Sequence, residues 1–182
     1  HSLCKNKSNI DGIYSFFEYK DIIRKAIIEF KFKYVTDLEE SFWKIIFNEI
    51  ERKRQDYFLL NKYLLEKKPT IVSVPLFWYK QNLRGFNQSS AFGKRLAYLY
   101  NLPFSEKIII RAKSSKPQAK LTQTQRKENL KGIFEINKNI DISGKNFVIF
   151  DDILTTGSTI KEINKVLKEN KAGEVWGLTI AR

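Results

Sequence analysis

Methionine is missing from all 182 residues, position 1 included, and histidine and cysteine occur once each, as His1 and Cys4. A single cysteine rules out an internal disulfide, as suits a reducing compartment. A closed zinc site needs four ligands, so no complete Cys/His site forms within this chain. Long apolar runs are also absent. The longest uncharged stretch, PTIVSVPLFWY at 69–79, falls short of the roughly 18 residues a membrane-spanning helix requires, so no membrane insertion is expected. The first residues, HSLCKNKSNIDG, lack the apolar centre of a secretion signal, and a cytoplasmic location is the expectation. Low-complexity tracts and internal repeats are lacking, and the length suits one domain with a substantial core. Since position 1 is not a translation start, His1–Ser2 is read either as a tag remnant or as the stump of a longer natural chain.

Acids are scarce relative to bases. Thirty-three Lys and Arg against twenty Asp and Glu leave a formal charge of +13. Such an excess favours polyanions, whether phosphates, nucleic acid or acidic lipid surfaces. A compositional bias with merely solvated lysines accounts for it equally well. Its distribution is more telling. RAKSSKPQAKLTQTQRKENLK (111–131) carries one acid, Glu128, and few large apolar residues. It reads as a flexible basic loop.

Along the chain, YSFFEY (14–19) is strand-like. KDIIRKAIIEFKFKY (20–34) and DLEESFWKIIFNEIERKR (37–54) carry apolar stripes at helical spacing. TIVSVP (70–75) predicts a buried strand, QSSAFGKRLAYLYN (88–101) a helix, and IIIR (108–111) and GIFEI (132–136) short strands. KNFVIF (145–150) is apolar without alternation, as an interior parallel strand is. STIKEINKVLKEN (158–170) predicts a helix and EVWGLTIA (174–181) a final strand. Strands alternating with helices predict an α/β fold, a parallel sheet with helices on both faces. Ligands of such folds bind beyond the carboxyl ends of the strands.

At one such end stands VIFDDILTTGSTIKE (148–162). Asp151 and Asp152 do nothing for a buried strand and repel one another, so they need hydroxyls or a magnesium-loaded ligand to compensate them. Gly157 permits a sharp turn and a close backbone approach. Thr155, Thr156, Ser158 and Thr159 surround it with hydroxyls at the start of a helix, whose free amides and dipole favour an anion. Acids for a diol and amides for a phosphate describe a ribose 5-phosphate. The alternative is a capped strand-to-helix turn with two incidental solvent-facing aspartates. A Walker loop and a G-x-G-x-x-G fingerprint are both absent.

This stretch resembles the phosphoribosyl pyrophosphate (PRPP) signature of type I phosphoribosyltransferases: four apolar residues, two acids, two apolar residues, then T-T-G-x-T. VPLFWYKQNLRGFNQSSAFGKRLA (74–97) and RAKSSKPQAKLTQTQRKENLKGIF (111–134) are similar to segments of the ComF (ComFC) competence proteins, as is the closing Ala181–Arg182. The resemblance covers residues from about 14 to the end. It implies a type I phosphoribosyltransferase fold over 14–182, with 1–13 as an N-terminal remnant. His1-x-x-Cys4 resembles the last ligand pair of a zinc module that precedes this domain in many ComF relatives.

The resemblance further implies that Asp151 and Asp152 bind the ribose hydroxyls. Thr155, Thr156, Gly157, Ser158 and Thr159 would hold the 5-phosphate, and Arg84 and Gly85 would grip pyrophosphate. The alternative for Arg84 is a surface cation in a helix-entry loop, and Lys113 and Lys116, candidates to neutralise pyrophosphate, read singly as solvated lysines. Magnesium (Mg2+) would be held through PRPP and water, with no direct protein ligand. Thr155 stands where some purine-salvage relatives carry an aspartate as general base, and a threonine is too weak for that duty. The implied roles are a magnesium-dependent phosphoribosyltransferase of unidentified acceptor, a competence factor handling incoming single-stranded DNA, or a catalytically silent PRPP sensor. Other competence proteins are further expected partners. Trp78, Tyr79 and Phe86 are the best exposed candidates for stacking on bases.

Overall fold

The computed structural model describes residues 10–32, 36–53, 55–76, 86–112 and 132–182. Its elements are β1 (Gly12–Phe17), α1 (Asp21–Phe32), α2 (Thr36–Arg52), α3 (Phe58–Lys67), β2 (Thr70–Ser73), α4 (Gln88–Leu99), β3 (Phe104–Ser105), β4 (Ile109–Arg111), β5 (Phe134–Ile136), β6 (Phe147–Ile153), α5 (Ser158–Glu169) and β7 (Val175–Ala181). Strands β1-β7-β6-β2-β3 form a five-stranded sheet in that order, and every pairing in it is parallel. The expected parallel α/β architecture is therefore the one observed.

Strand β6 explains the sheet's position. Phe147, Val148, Ile149 and Phe150 are all 0–1% exposed, and burying each such side chain contributes about 1.5–3 kcal/mol. Val148 and Phe150 face a core built with α1 to α4, through Phe30, Phe42, Leu60 and Phe92. Phe147 and Ile149 face the other side, where Ile160, Ile163 and Leu167 of α5 pack. Helices thus cover both faces, which is why this strand reads as one continuous apolar run. Gly177 of β7 lets α5 sit close, since a Cβ there would stand 2.9 Å from Ile160 Cγ2.

The sequence reading missed two elements. Helix α3 presents Leu60, Tyr63 and Leu64 to the core but leaves Phe58, Leu59 and Leu65 exposed, so FLLNKYLLEK carries no helical stripe. Strand β3 is two residues long, beneath what a hydrophobic pattern reveals. Strands β4 and β5 form an antiparallel ribbon apart from the main sheet. The first strand is tied down at its entry, where Asp11 accepts from the amide of Val175 at 2.7 Å and from Lys168 Nζ at 3.0 Å.

The connections fix where a ligand can sit. Strands β2 and β6 are neighbours, yet the chain leaves β2 through α4 towards β3 and leaves β6 through α5 towards β7. The winding direction reverses between them. A crevice opens at such a switch point, beyond the carboxyl ends of the two strands.

Candidate ligand site at the switch point

Two helix starts and one strand end meet in this crevice. Strand β6 runs through Asp151 and Asp152 to Ile153, three residues further than the sequence suggested. Pairing with β7 sets its register, Asp151 opposite Thr179 and Ile153 opposite Ala181. Leu154 closes the strand, its amide donating to the Ala181 carbonyl at 2.7 Å. Both aspartates are half-buried. Asp151 Oδ1 accepts from the Asp152 amide at 2.9 Å and from Ser89 Oγ at 3.3 Å.

Ser89 comes from the first turn of α4, which is itself firmly held. Asn87 caps that helix, its Oδ1 accepting from the Ser89 amide at 3.1 Å while its Nδ2 donates to the Val74 carbonyl at 3.0 Å. Ser90 Oγ shares a buried hydrogen bond of 2.8 Å with Ser73 Oγ at the end of β2. Small polar side chains thus link β2 to α4 and α4 to Asp151. Sequence reasoning missed Ser89; its adjacency to the RGFNQ segment was the available signal.

The loop 154–157 then turns into α5. Gly157 takes φ +70 and ψ +7, the left-handed region that only glycine enters freely, and sits at the helix cap without a side chain to offer. Thr156 Oγ1 accepts from the Ser158 amide at 3.3 Å and shares a 2.7 Å hydrogen bond with Ser158 Oγ. Among the described residues no protein acceptor meets the amides of Thr159 and Ile160. Thr155 is exposed, Thr156 and Thr159 half-buried, and Gly157 and Ser158 buried. Asp151 and residues 153–160 line a small open hollow of ≈250 Å³. A groove of ≈1360 Å³ between α2, α3 and the end of α4 is larger, but it lies away from the paired acids and the Gly157 turn.

Arg111, at the end of β4, is a second residue the sequence reading left without a role. Its guanidinium lies 5.7 Å from the centre of the Phe134 ring. Burial pushes its pKa below the usual range, and the negative charge of Asp151 pulls it back up. Asp151 therefore has a cation in electrostatic reach, the kind of compensation that two adjacent carboxylates demand. The two carboxylates and the Ser89 hydroxyl offer oxygen, the donor type that magnesium prefers. Among the described residues no three His, Cys, Asp or Glu gather as a metal cluster.

The remaining expectations divide. Asp151, Asp152, Thr155, Thr156, Gly157, Ser158 and Thr159 stand together. Arg84, Gly85, Lys113, Lys116, Trp78, Tyr79, His1 and Cys4 lie outside the described residues. Phe86 needs a correction, because it is half-buried and packs edge-on against Phe30 at 5.3 Å rather than standing free for a base. Exposed aromatics include Tyr98 at 90% and Phe58 at 64%. No described helix is long and apolar enough to cross a membrane.

A doubly wound parallel sheet with paired acids and a glycine-turned loop at its switch point defines an α/β domain of the phosphoribosyltransferase type. The chain belongs to the phosphoribosyl transferase domain family, which its residues 87–180 match. The expected likeness to the ComF proteins also stands. The chain is 34% identical over 121 residues to competence protein F of Haemophilus influenzae, covering 64% of this chain and 52% of that protein. It is 36% identical over 129 residues to the DNA utilization protein YhgH of Salmonella typhi, covering 66% and 56%. With competence protein ComFC of Bacillus subtilis it shares 28% over 169 residues, covering 92% and 63%. The chain thus spans about half the length of the first two relatives.

Proposed function

We propose that this chain binds PRPP with magnesium at the switch point and acts in the cytoplasm on imported single-stranded DNA during natural transformation, with other competence proteins as partners. One observation carries the PRPP reading: Asp151 and Asp152 stand in the last turn-facing positions of the central strand, ahead of a glycine-turned helix start whose Thr159 and Ile160 amides meet no protein acceptor among the described residues. In this reading the carboxylates accept from the ribose 2- and 3-hydroxyls. Residues 155–159 hold the 5-phosphate through amides and hydroxyls. Arg84 and Gly85 grip pyrophosphate, for which a guanidinium offers a planar fork of donors.

Ser89 fixes the rotamer of Asp151, and Arg111 offsets the charge of the acid pair until the ligand arrives. Magnesium would be held through PRPP and water with no direct protein ligand, and when bound it would shield the negative charge of the pyrophosphate. Substitution at the anomeric carbon is the associated chemistry. The bond from C1 to the pyrophosphate oxygen breaks with its electron pair leaving on pyrophosphate, and a nucleophile forms the new bond from the opposite face, releasing its proton to solvent. The chain's part is to position the sugar and stabilise the separated charges. Thr155 supplies no general base, which favours acceptors that need none.

The DNA role draws on the competence and DNA-utilization names of its relatives and on the +13 charge. A second reading, a phosphoribosyltransferase of nucleotide metabolism or a silent PRPP sensor, rests on the family match alone. Calorimetric titration of Mg-PRPP into the full chain tests the site: saturable binding is expected, and its absence at millimolar ligand would overturn the reading. Single-stranded DNA should bind with an affinity that falls steeply with salt, because phosphate contacts release counterions. Binding indifferent to salt would remove the DNA role. Pyrophosphate release with a panel of nucleobases, and no response to DNA, would favour the metabolic reading.

A further inference from the structure

We infer that Lys161 is a working part of the phosphate cradle, a cation that secures the 5-phosphate and so selects phosphorylated over unphosphorylated pentose; this rests on the reading that the 155–159 loop seats a sugar phosphate. Lys161 lies in the opening turn of α5, its amide donating to the Gly157 carbonyl at 2.9 Å. Its side chain folds back over the loop. The Cε atom stands 3.8 Å from where a Cβ on Gly157 would be, and the residue is half-buried.

Among the described residues Lys161 makes no ion pair and no side-chain hydrogen bond. Its neighbours on the same helix behave differently: Lys165 pairs with Glu169 and Lys168 with Asp11. The adjacent carboxylate, Glu162, accepts from the amide of Gly132 at 2.7 Å, on the far flank of the basic loop. A cation at a helix start opposes the helix dipole, and α5 has no acid in its first turn to offset it. Lys161 is therefore poorly placed in the empty protein and well placed once an anion occupies the loop. A phosphate received by the Thr159 and Ile160 amides reverses the sign of its interaction. A compact ammonium on a flexible stem suits this duty, since the amides supply direction and the lysine needs only to supply charge.

The test uses the full chain and the variants Lys161→Met, Lys161→Arg and Lys161→Glu, titrated with ribose 5-phosphate, Mg-PRPP and magnesium pyrophosphate. Lys161→Met is expected to weaken ribose 5-phosphate and PRPP by about 5–30-fold, the worth of one charge-assisted contact. Lys161→Arg should restore most of the loss, and pyrophosphate affinity should stay unchanged. Wild-type affinity for ribose 5-phosphate should fall as the phosphate loses its second charge near pH 6, with a shallower fall in Lys161→Met. Without ligand, Lys161→Met should raise the unfolding midpoint and Lys161→Glu should raise it further, opposite in sign to their effects on binding. If ribose 5-phosphate binds Lys161→Met within twofold of wild type, or pyrophosphate weakens equally, the inference is overturned while the sugar-phosphate site stands. If the wild-type chain binds none of the three ligands, both fall together.

Discussion

Helices α4 and α5 both aim their starts at the same crevice, and they are finished in opposite ways. The start of α4 is closed: the Asn87 side chain takes the Ser89 amide, and the Asn87 carbonyl takes those of Ser90 and Ala91, both at 3.0 Å. The start of α5 is open: its cap is a glycine, its first turn carries no acid, and the amides of Thr159 and Ile160 meet no protein acceptor among the described residues. Orphan amides at a helix start normally find a side chain or water. One end is therefore capped by the protein itself and the other is left open, as the proposed phosphate seat requires. Stability and binding should separate along this line when each end is altered.

The largest effect is expected at the acids that stand between the two ends. Asp151→Asn combined with Asp152→Asn should weaken Mg-PRPP by about 100-fold or more, through loss of two charge-assisted contacts, while urea unfolding shows at most a small change; calorimetry on the purified variant checks this. Gly157→Ala comes next. Its left-handed φ costs any L-residue about 1–2 kcal/mol, so both the urea midpoint and PRPP affinity should drop. Asn87→Ala should cost about 1 kcal/mol of stability through the lost cap yet leave PRPP affinity within about threefold in the same titration. Equal damage to binding from Asn87→Ala and Gly157→Ala would break the comparison. Ser89→Ala should be mildest, raising the PRPP dissociation constant about 2–5-fold by freeing the Asp151 carboxylate, with little change in the unfolding midpoint.

The candidate site was legible where its residues are contiguous. Residues 147–159 run from buried strand to acids to loop to helix without interruption, so the physical demands of each step are written side by side. Ser89 and Arg111 were not legible, because each meets Asp151 only through the folded sheet, across 62 positions in the case of Ser89. Phe86 looked available because its neighbours are polar, yet Phe30 claims it. Helix α3 escaped for another reason. Its apolar residues serve the core at Leu60 and Leu64 and face solvent at Phe58 and Leu65, so periodicity, which assumes one buried stripe, had nothing to report. The ordering of the sheet was also beyond local pattern, since it depends on which strands later in the chain come to lie beside earlier ones.

That ordering governs how the protein can be born. Strand β2 pairs with β6, Thr70 lying opposite Phe147, and β1 lies parallel to β7, still later in the chain. At a ribosomal pace of about 5–20 residues per second, the aromatic faces of α1 to α3 wait several seconds for a surface to cover them. Nascent chains stalled before β6 should be sticky and prone to capture by chaperones, and release of the last strand is the event that seals the domain.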